Sequence, residues 1–155
     1  MDPLRKDLPG ILDGLHAIVV GTRDAGHVPA AALGAALVAD EEGRVTVYLP
    51  EVAAARTIAN AAEAGSIAVA AEFIPTHRTV QVKGKVLEIR EAREDERALV
   101  ERMQGEFFDD VALIGAPAHV RRRLRWPCRA ITFQAEEVYE QTPGPRAGLP
   151  FVSGS

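Results

Sequence analysis

Residues 77–86 combine an apolar face and a cationic face within one short stretch. The apolar positions are Val80, Val82 and Val86, and the polar positions between them are Gln81, Lys83 and Lys85. A period of two predicts a β-strand, because successive side chains of a strand point to opposite faces. Gly84 lies in the same stretch and would admit close approach of a backbone or a ligand. This strand is therefore a candidate site for an anionic ligand, with a solvated strand face as the alternative.

A second candidate is the pair Arg56 and Thr57, which lies within a predicted helix over residues 51–64. In the N-terminal half of a helix, a guanidinium and a hydroxyl group can bind a phosphate through charge-assisted hydrogen bonds. The alternative is an ordinary exposed arginine on a surface helix. Spacing alone leaves both interpretations open.

Short strands separated by turns run through most of the chain. The patterns predict strands over 16–22, 28–39, 44–50, 67–73, 77–86 and 129–139, and helices over 4–15, 51–64 and 91–109, with a further short helix within 111–125. Residues 28–39 are rich in alanine, which favours helix, but Pro29, Gly34 and the flanking turns favour a strand. In 91–109, a predicted buried stripe consists of Leu99, Met103 and Phe107. The whole pattern predicts a mainly β barrel with peripheral helices.

Composition excludes several classes of protein. The 155 residues are 47% hydrophobic, which indicates one folded domain over 1–155 with an extended tail over 141–155. A net charge of −4 argues against general nucleic-acid binding, and no apolar run is long enough to span a membrane. The single cysteine, Cys128, and the scattered histidines predict no metal site. Without the apolar core of a signal peptide near the N-terminus, a cytoplasmic location is expected.

Four segments in order carry a resemblance to a known family. The apolar run 67–73, the connection 74–76 and the strand 77–86 look like the central hairpin of the pyridoxamine 5′-phosphate oxidase-like flavin-binding split barrels. Residues 17–29 resemble the opening hairpin of that family, and 136–145 its final strand and tail. Residues 45–60 resemble its third strand and following helix, where a Lys or Arg four residues before an Asn commonly meets the cofactor phosphate. Arg56 and Asn60 have that spacing.

This resemblance implies a six-stranded, Greek-key FMN-binding split barrel that forms a homodimer, with the cofactors in the subunit interface. It implies hydride or electron transfer to or from an unidentified small molecule, with the cofactor carrying the reaction and catalytic side chains unknown. The implied cofactor-binding residues are Val20, Gly21, Thr22, Tyr48, Arg56, Thr57, Arg78, Thr79, Gln81, Lys83 and Trp126. Thr79 departs from the pattern, since larger relatives often have Gln at that position.

Three alternatives stay open. Similar barrels use a deazaflavin or act on haem. The basic segment Arg121–Arg125 would suit the anionic tail of such a cofactor or the propionates of haem. Its alternative interpretation is a solvated helix face. A flavin-binding protein with a sensing or storage role and no catalysis is the third possibility. The sequence also shows no dinucleotide-binding, phosphate-loop or serine-hydrolase motif.

Overall fold

The computed structural model describes residues 3–117 and 126–152. Three helices are present in this part of the chain: α1 (Pro3–Leu12), α2 (Ala55–Ala64) and α3 (Arg97–Leu113). Seven strands form one antiparallel sheet: β1 (Ala17–Arg23), β2 (Pro29–Leu33), β3 (Ala36–Ala39), β4 (Arg44–Pro50), β5 (Ser66–Phe73), β6 (Arg78–Glu91) and β7 (Cys128–Glu140). The predicted mainly β architecture is confirmed.

The sheet curls so that its two edges meet in one continuous segment. Its strand order is β2-β1-β5-β6-β7-β4-β3, and the edge strands β2 and β3 follow each other directly in the chain. At the bend, the Gly34 N–H donates to Ile18 O at 2.8 Å and the Ala35 N–H donates to Tyr48 O at 2.8 Å. The alanine-rich stretch is therefore extended, as predicted, but it divides at Gly34 to pair with β1 on one side and β4 on the other. Counted as one strand, it gives the six strands of the prediction.

Alternation along the strands fills the interior of the barrel. Val20, Val69, Val80, Val82 and Phe133 are at most 1% exposed, and α1 adds Leu8, Ile11 and Leu12 to the same core. In β7, Ile131, Phe133 and Val138 are buried as well. Helix α2 packs against β1 and β2.

All three helices differ from the predictions. α1 ends at Leu12 rather than at residue 15, and α3 covers Arg97–Leu113 rather than 91–109. α2 begins at Ala55 rather than at residue 51, because residues 51–54 form a turn. It is followed by Gly65, whose positive φ of 65° is typical of the glycine that terminates a helix. The buried face of α3 carries Val100, Met103, Gln104 and Phe108, whereas Leu99 and Phe107 are only half-buried. A strict four-residue repeat slants across a helix of 3.6 residues per turn, so the predicted stripe was wrong at both ends.

The structure tests the prediction of a short helix within 111–125 only in part. α3 continues to Leu113, and 114–117 are not helical. The basic segment Arg121–Arg125 lies outside the described residues. None of the described helices is long and apolar enough to cross a membrane. Within 3–117 and 126–152, no cluster of His, Cys, Asp and Glu is placed to hold a metal ion.

Candidate functional site

One face of the barrel exposes small and apolar side chains over several strands. The strand registers align Ala31, Gly21, Ala68 and Lys83 in one row, and Leu33, Val19, Ala70 and Gln81 in the next. We call these eight residues the outer face. Val19 is 45% exposed and Leu33 is 50% exposed. Because Gly21 and the alanines barely project, this face could accept a flat molecule or a second subunit.

The β6 side of the outer face is polar, and the predicted alternation is confirmed there. Val80 and Val82 are buried, while Gln81 and Lys83 on the other face are half-buried. The Lys83 ammonium lies 4.8 Å from the centre of the Tyr139 ring, so it sits over an aromatic face at the margin of the outer face.

Gly84 meets the first of its two predicted alternatives, the close approach of a backbone. A Cβ at this position would lie 1.9 Å from the Gln134 carbonyl oxygen, at an irregularity in the pairing of β6 with β7. The missing side chain therefore admits the backbone of the neighbouring strand rather than a ligand.

A partly open cationic position lies at the end of the outer face where β1 finishes. The Arg56 side chain is 65% exposed, and its Nη2 is 4.0 Å from Asp24 Oδ2. This ion pair is long and exposed, so it constrains the guanidinium little. The Thr22 hydroxyl donates to Thr57 O at 3.0 Å and thereby ties α2 to β1. Arg56 is therefore fixed near Thr22 through the helix backbone while its side chain stays available.

A buried amide next to this position lacks a partner. Asn60 lies one helical turn after Arg56 and is 5% exposed, and its Nδ2 makes no hydrogen bond to any described residue. Thr57 is 2% exposed and Val20 is 0% exposed, so their side chains belong to the interior. At Val20, a ligand on the surface could meet only the backbone.

Arg78 and Thr79 are tied to other parts of the chain. Arg78 Nη2 donates to the carbonyl oxygen of Ile11 at 2.9 Å, near the end of α1. Arg78 also pairs with Phe73, at the opposite end of β5 from Ala68. The Thr79 hydroxyl donates to His77 O at 2.8 Å. Arg78 thus lies far along the sheet from Arg56.

Tyr48 belongs to a separate ionic cluster on the other side of the barrel. Its hydroxyl donates to Glu96 Oε1 at 2.8 Å. The Arg90 guanidinium donates one hydrogen bond to each carboxylate oxygen of Glu96, at 2.7 and 2.8 Å. Burial, with a smaller effect of Glu96, raises the pKa of Tyr48 to about 12. The Arg90 hydrogen bonds lower the pKa of Glu96 to about 2. The Tyr48 hydroxyl is therefore protonated and engaged at neutral pH.

Trp126 lies beside α3, with its ring centre 5.8 Å from the Arg97 guanidinium carbon. The structure thus brings Gly21, Gln81 and Lys83 together on the outer face, with Arg56 at its end. It places Tyr48 elsewhere, and Trp126 at the start of α3.

Gln104 is a further polar residue that sequence reasoning missed. It is 9% exposed on the buried face of α3, and its Nε2 has no hydrogen-bond partner among the described residues. The available signal was a polar side chain one position after Met103, inside an apolar face.

Comparison with known proteins gives structural matches alone. The sequence matches no protein-family model and no curated protein. HupZ from Group A Streptococcus aligns with a TM-score of 0.56 and 15% identity, over 92% of this chain and 97% of that chain. A structure named F420 reductase aligns with a TM-score of 0.51 and 14% identity, over 83% of this chain and 93% of that chain.

A pyridoxamine 5′-phosphate oxidase-related, FMN-binding protein from Nostoc punctiforme aligns with a TM-score of 0.50 and 10% identity, over 94% of this chain and 88% of that chain. At such identities the likeness concerns the path of the chain. The protein therefore has the split-barrel fold of the pyridoxamine 5′-phosphate oxidase-like proteins.

Proposed function

We propose that this chain binds FMN on the outer face, within a homodimer, and transfers hydride or electrons to or from a small molecule. The observation that carries the proposal is the outer face itself. Gly21, Ala68 and Ala70 form a flat patch at the surface of a split barrel, and the patch ends near an exposed, loosely paired Arg56. A flavin needs such a combination, because its ring is flat and its 5′-phosphate is anionic.

The residues near Arg56 fit a phosphate and its polar tail. A guanidinium can donate two parallel hydrogen bonds to a phosphate, and the distant Asp24 carboxylate competes weakly for Arg56. The unpartnered Nδ2 of Asn60 is a buried donor that costs folding free energy unless an acceptor reaches it. Both features are expected of a site that is completed by an anionic ligand.

The chain would supply position and electrostatics, while bound FMN supplies a ring that accepts or donates a hydride or single electrons. Gln81 and Lys83 lie at the β6 end of the two rows of the outer face, where their side-chain N–H groups can donate to acceptors of the ring. The flat patch of Gly21, Ala68 and Ala70 would lie against the ring and exclude water from that side. This division of labour agrees with the absence of a recognisable nucleophile or paired acid and base in the sequence.

A homodimer would cover what one chain leaves exposed. Half-exposed Val19 and Leu33 lie side by side on the outer face, together with exposed Ala31. A contiguous apolar patch of this kind is typical of a binding or subunit interface. A second copy of the chain would bury it and enclose the cofactor.

The test is a titration of purified protein with FMN, followed by flavin fluorescence. Arg56→Ala should weaken binding about 10- to 100-fold, the range expected for a lost charge-assisted hydrogen bond. Arg102→Ala is the matched control, because Arg102 is similarly exposed, at 61%, on the distant helix α3. Equal affinities for the two variants, or no FMN binding by the wild type, would contradict the proposal.

A second candidate is a deazaflavin-dependent reductase, favoured by the alignment with the protein named F420 reductase. The same titration with a deazaflavin, and with haem as a third ligand, separates the cofactors. Catalysis is tested separately by mixing the loaded protein with NADH or NADPH. Bound flavin that no donor reduces would favour a sensing or storage role.

A further inference from the structure

A small cavity lies at the far end of β1 from Arg56. It has a volume of about 50 Å³ and lies between the beginning of β1, the bend at Gly34 and helix α3. Its lining includes Ala17, Val19, Leu33, Gln104, Phe107 and Phe108. Val19 and Leu33 also belong to the outer face, so the cavity is continuous with that surface.

Gln104 gives this apolar cavity a hydrogen-bonding group. Its side chain lines the cavity, and the residue is only 9% exposed. Its Nε2 has no hydrogen-bond partner among the described residues. The terminal torsion of glutamine is soft, and its oxygen and nitrogen exchange places by rotation of the amide. The amide can therefore turn its N–H₂ group toward an acceptor in the cavity.

The size of the cavity limits what can enter it. A water-sized group needs about 10 to 15 Å³ by this measure, so about 50 Å³ holds roughly three to five heavy atoms. A complete ring does not fit inside, but the end of a molecule does. The rest of that molecule would lie over Val19 and Leu33.

Two carboxylates beside the cavity disfavour anions. His16 lines the cavity, and both of its ring nitrogens face carboxylates: Nδ1 is 2.7 Å from Asp110 Oδ2, and Nε2 is 3.2 Å from Glu106 Oε2. With these two nitrogens engaged, the Gln104 amide is the group left to bind a ligand. An uncharged acceptor suits it better than a carboxylate, which Asp110 and Glu106 would repel.

We propose that this cavity binds the carbonyl end of an uncharged small molecule, whose oxygen accepts a hydrogen bond from Gln104 and whose apolar body lies on Val19 and Leu33. The assignment of that molecule as the substrate rests on the proposed function, because its body would then lie beside the flavin ring. Its binding does not require the cofactor.

Acetophenone is a suitable probe, since its acetyl group has three heavy atoms and its ring is flat and apolar. Binding to the full, cofactor-free chain is measured by saturation-transfer NMR, with benzoate as the charged counterpart. We expect saturable binding of acetophenone and at least tenfold weaker binding of benzoate. Gln104→Leu, which keeps the volume and removes the donor, should weaken acetophenone about fivefold.

Two further variants test the location. Ala17→Leu should abolish binding by filling the cavity. Leu113→Ala changes a 74% exposed residue of α3, the helix that carries Gln104, and should leave binding unaltered. Binding that survives Ala17→Leu, or that is identical in wild type and Gln104→Leu, would overturn the proposal. FMN binding without acetophenone binding would overturn the cavity assignment and leave the cofactor site standing. Acetophenone binding without FMN binding would overturn the cofactor site and leave the cavity assignment standing.

Discussion

Glu96 connects three parts of the protein through a single carboxylate. It accepts hydrogen bonds from Tyr48 on β4, from Arg90 on β6 and from the backbone N–H of Arg93. These contacts lower its pKa from 4.5 to about 2. A folded-state pKa below the unfolded value stabilises the fold above pH 4.5, and this stabilisation is lost as the pH falls toward 2. The difference corresponds to about 3 kcal/mol.

We therefore expect Glu96→Gln to lower the free energy of unfolding by about 3 kcal/mol at pH 7. It should also flatten the dependence of stability on pH between 4.5 and 2. Urea unfolding at pH 7, 4.5 and 3 measures both effects. Glu101→Gln is the control, because Glu101 makes an exposed pair with Arg97 that is worth little. Parallel pH profiles for wild type and Glu96→Gln would show that the cluster does not carry this energy.

The sequence could identify single residues by chemical type but not by partner. Arg56 stands out because a basic residue and an Asn are one helical turn apart. Nothing local links Tyr48 to Glu96, which are 48 residues apart, so the partner of the tyrosine was not predictable. Thr57 has the chemistry to bind phosphate, yet the packing of α2 on β1 buries it. Partnership and burial depend on tertiary structure, which a residue pattern does not contain.

At the scale of elements, two glycines set how strands approach one another. A Cβ on Gly84 would lie 1.9 Å from the backbone oxygen of Gln134, while a Cβ on Gly34 would lie 2.4 Å from Ile18 Cγ2. The backbone oxygen at Gly84 cannot move without its strand, and the overlap there is deeper than at Gly34, where Ile18 Cβ also lies 2.9 Å away. Gly84→Ala should therefore destabilise the protein by about 3 kcal/mol or more, and Gly34→Ala by less.

Thermal or urea unfolding of the two variants checks this order. Gly10→Ala is the matched control, since a Cβ there has no neighbour within 4 Å and the residue lies inside α1. We expect a gain of up to about 1 kcal/mol from helix propensity. If Gly84→Ala proved as harmless as Gly10→Ala, the close approach of β6 and β7 would not be a constraint on the fold.

Element type was predictable where one period dominates. Alternation identified β6 and β7, and the turn residues around Pro29 correctly outweighed the helical propensity of the alanines. The start of α2 was missed, because Ala54 at its N-terminus provides no side-chain cap that would mark it. Close approach of a backbone at Gly84 was predictable, but its partner was not, since a pattern does not show that β7 carries an irregularity opposite it.

At the scale of the whole molecule, the exposed outer face argues for association. Ala31 is exposed in the row that contains Gly21, and it does not line the cavity beside α3. A charge there would be solvated in a single chain but buried without a partner between two chains. Ala31→Glu should therefore convert the proposed dimer, of roughly twice 16.6 kDa, into a monomer with little loss of folding stability.

Light scattering coupled to size-exclusion chromatography, at several protein concentrations, measures this change directly. Val52→Glu is the matched control, because Val52 is 88% exposed in the turn before α2 and lies off the outer face. The control should remain dimeric and bind FMN as the wild type does, whereas Ala31→Glu should lose both properties together. The joint loss matters, because a cofactor enclosed between subunits couples dimer formation to FMN affinity. An Ala31→Glu monomer with full FMN affinity would place the cofactor within one subunit, and a variant that stays dimeric would place the interface elsewhere.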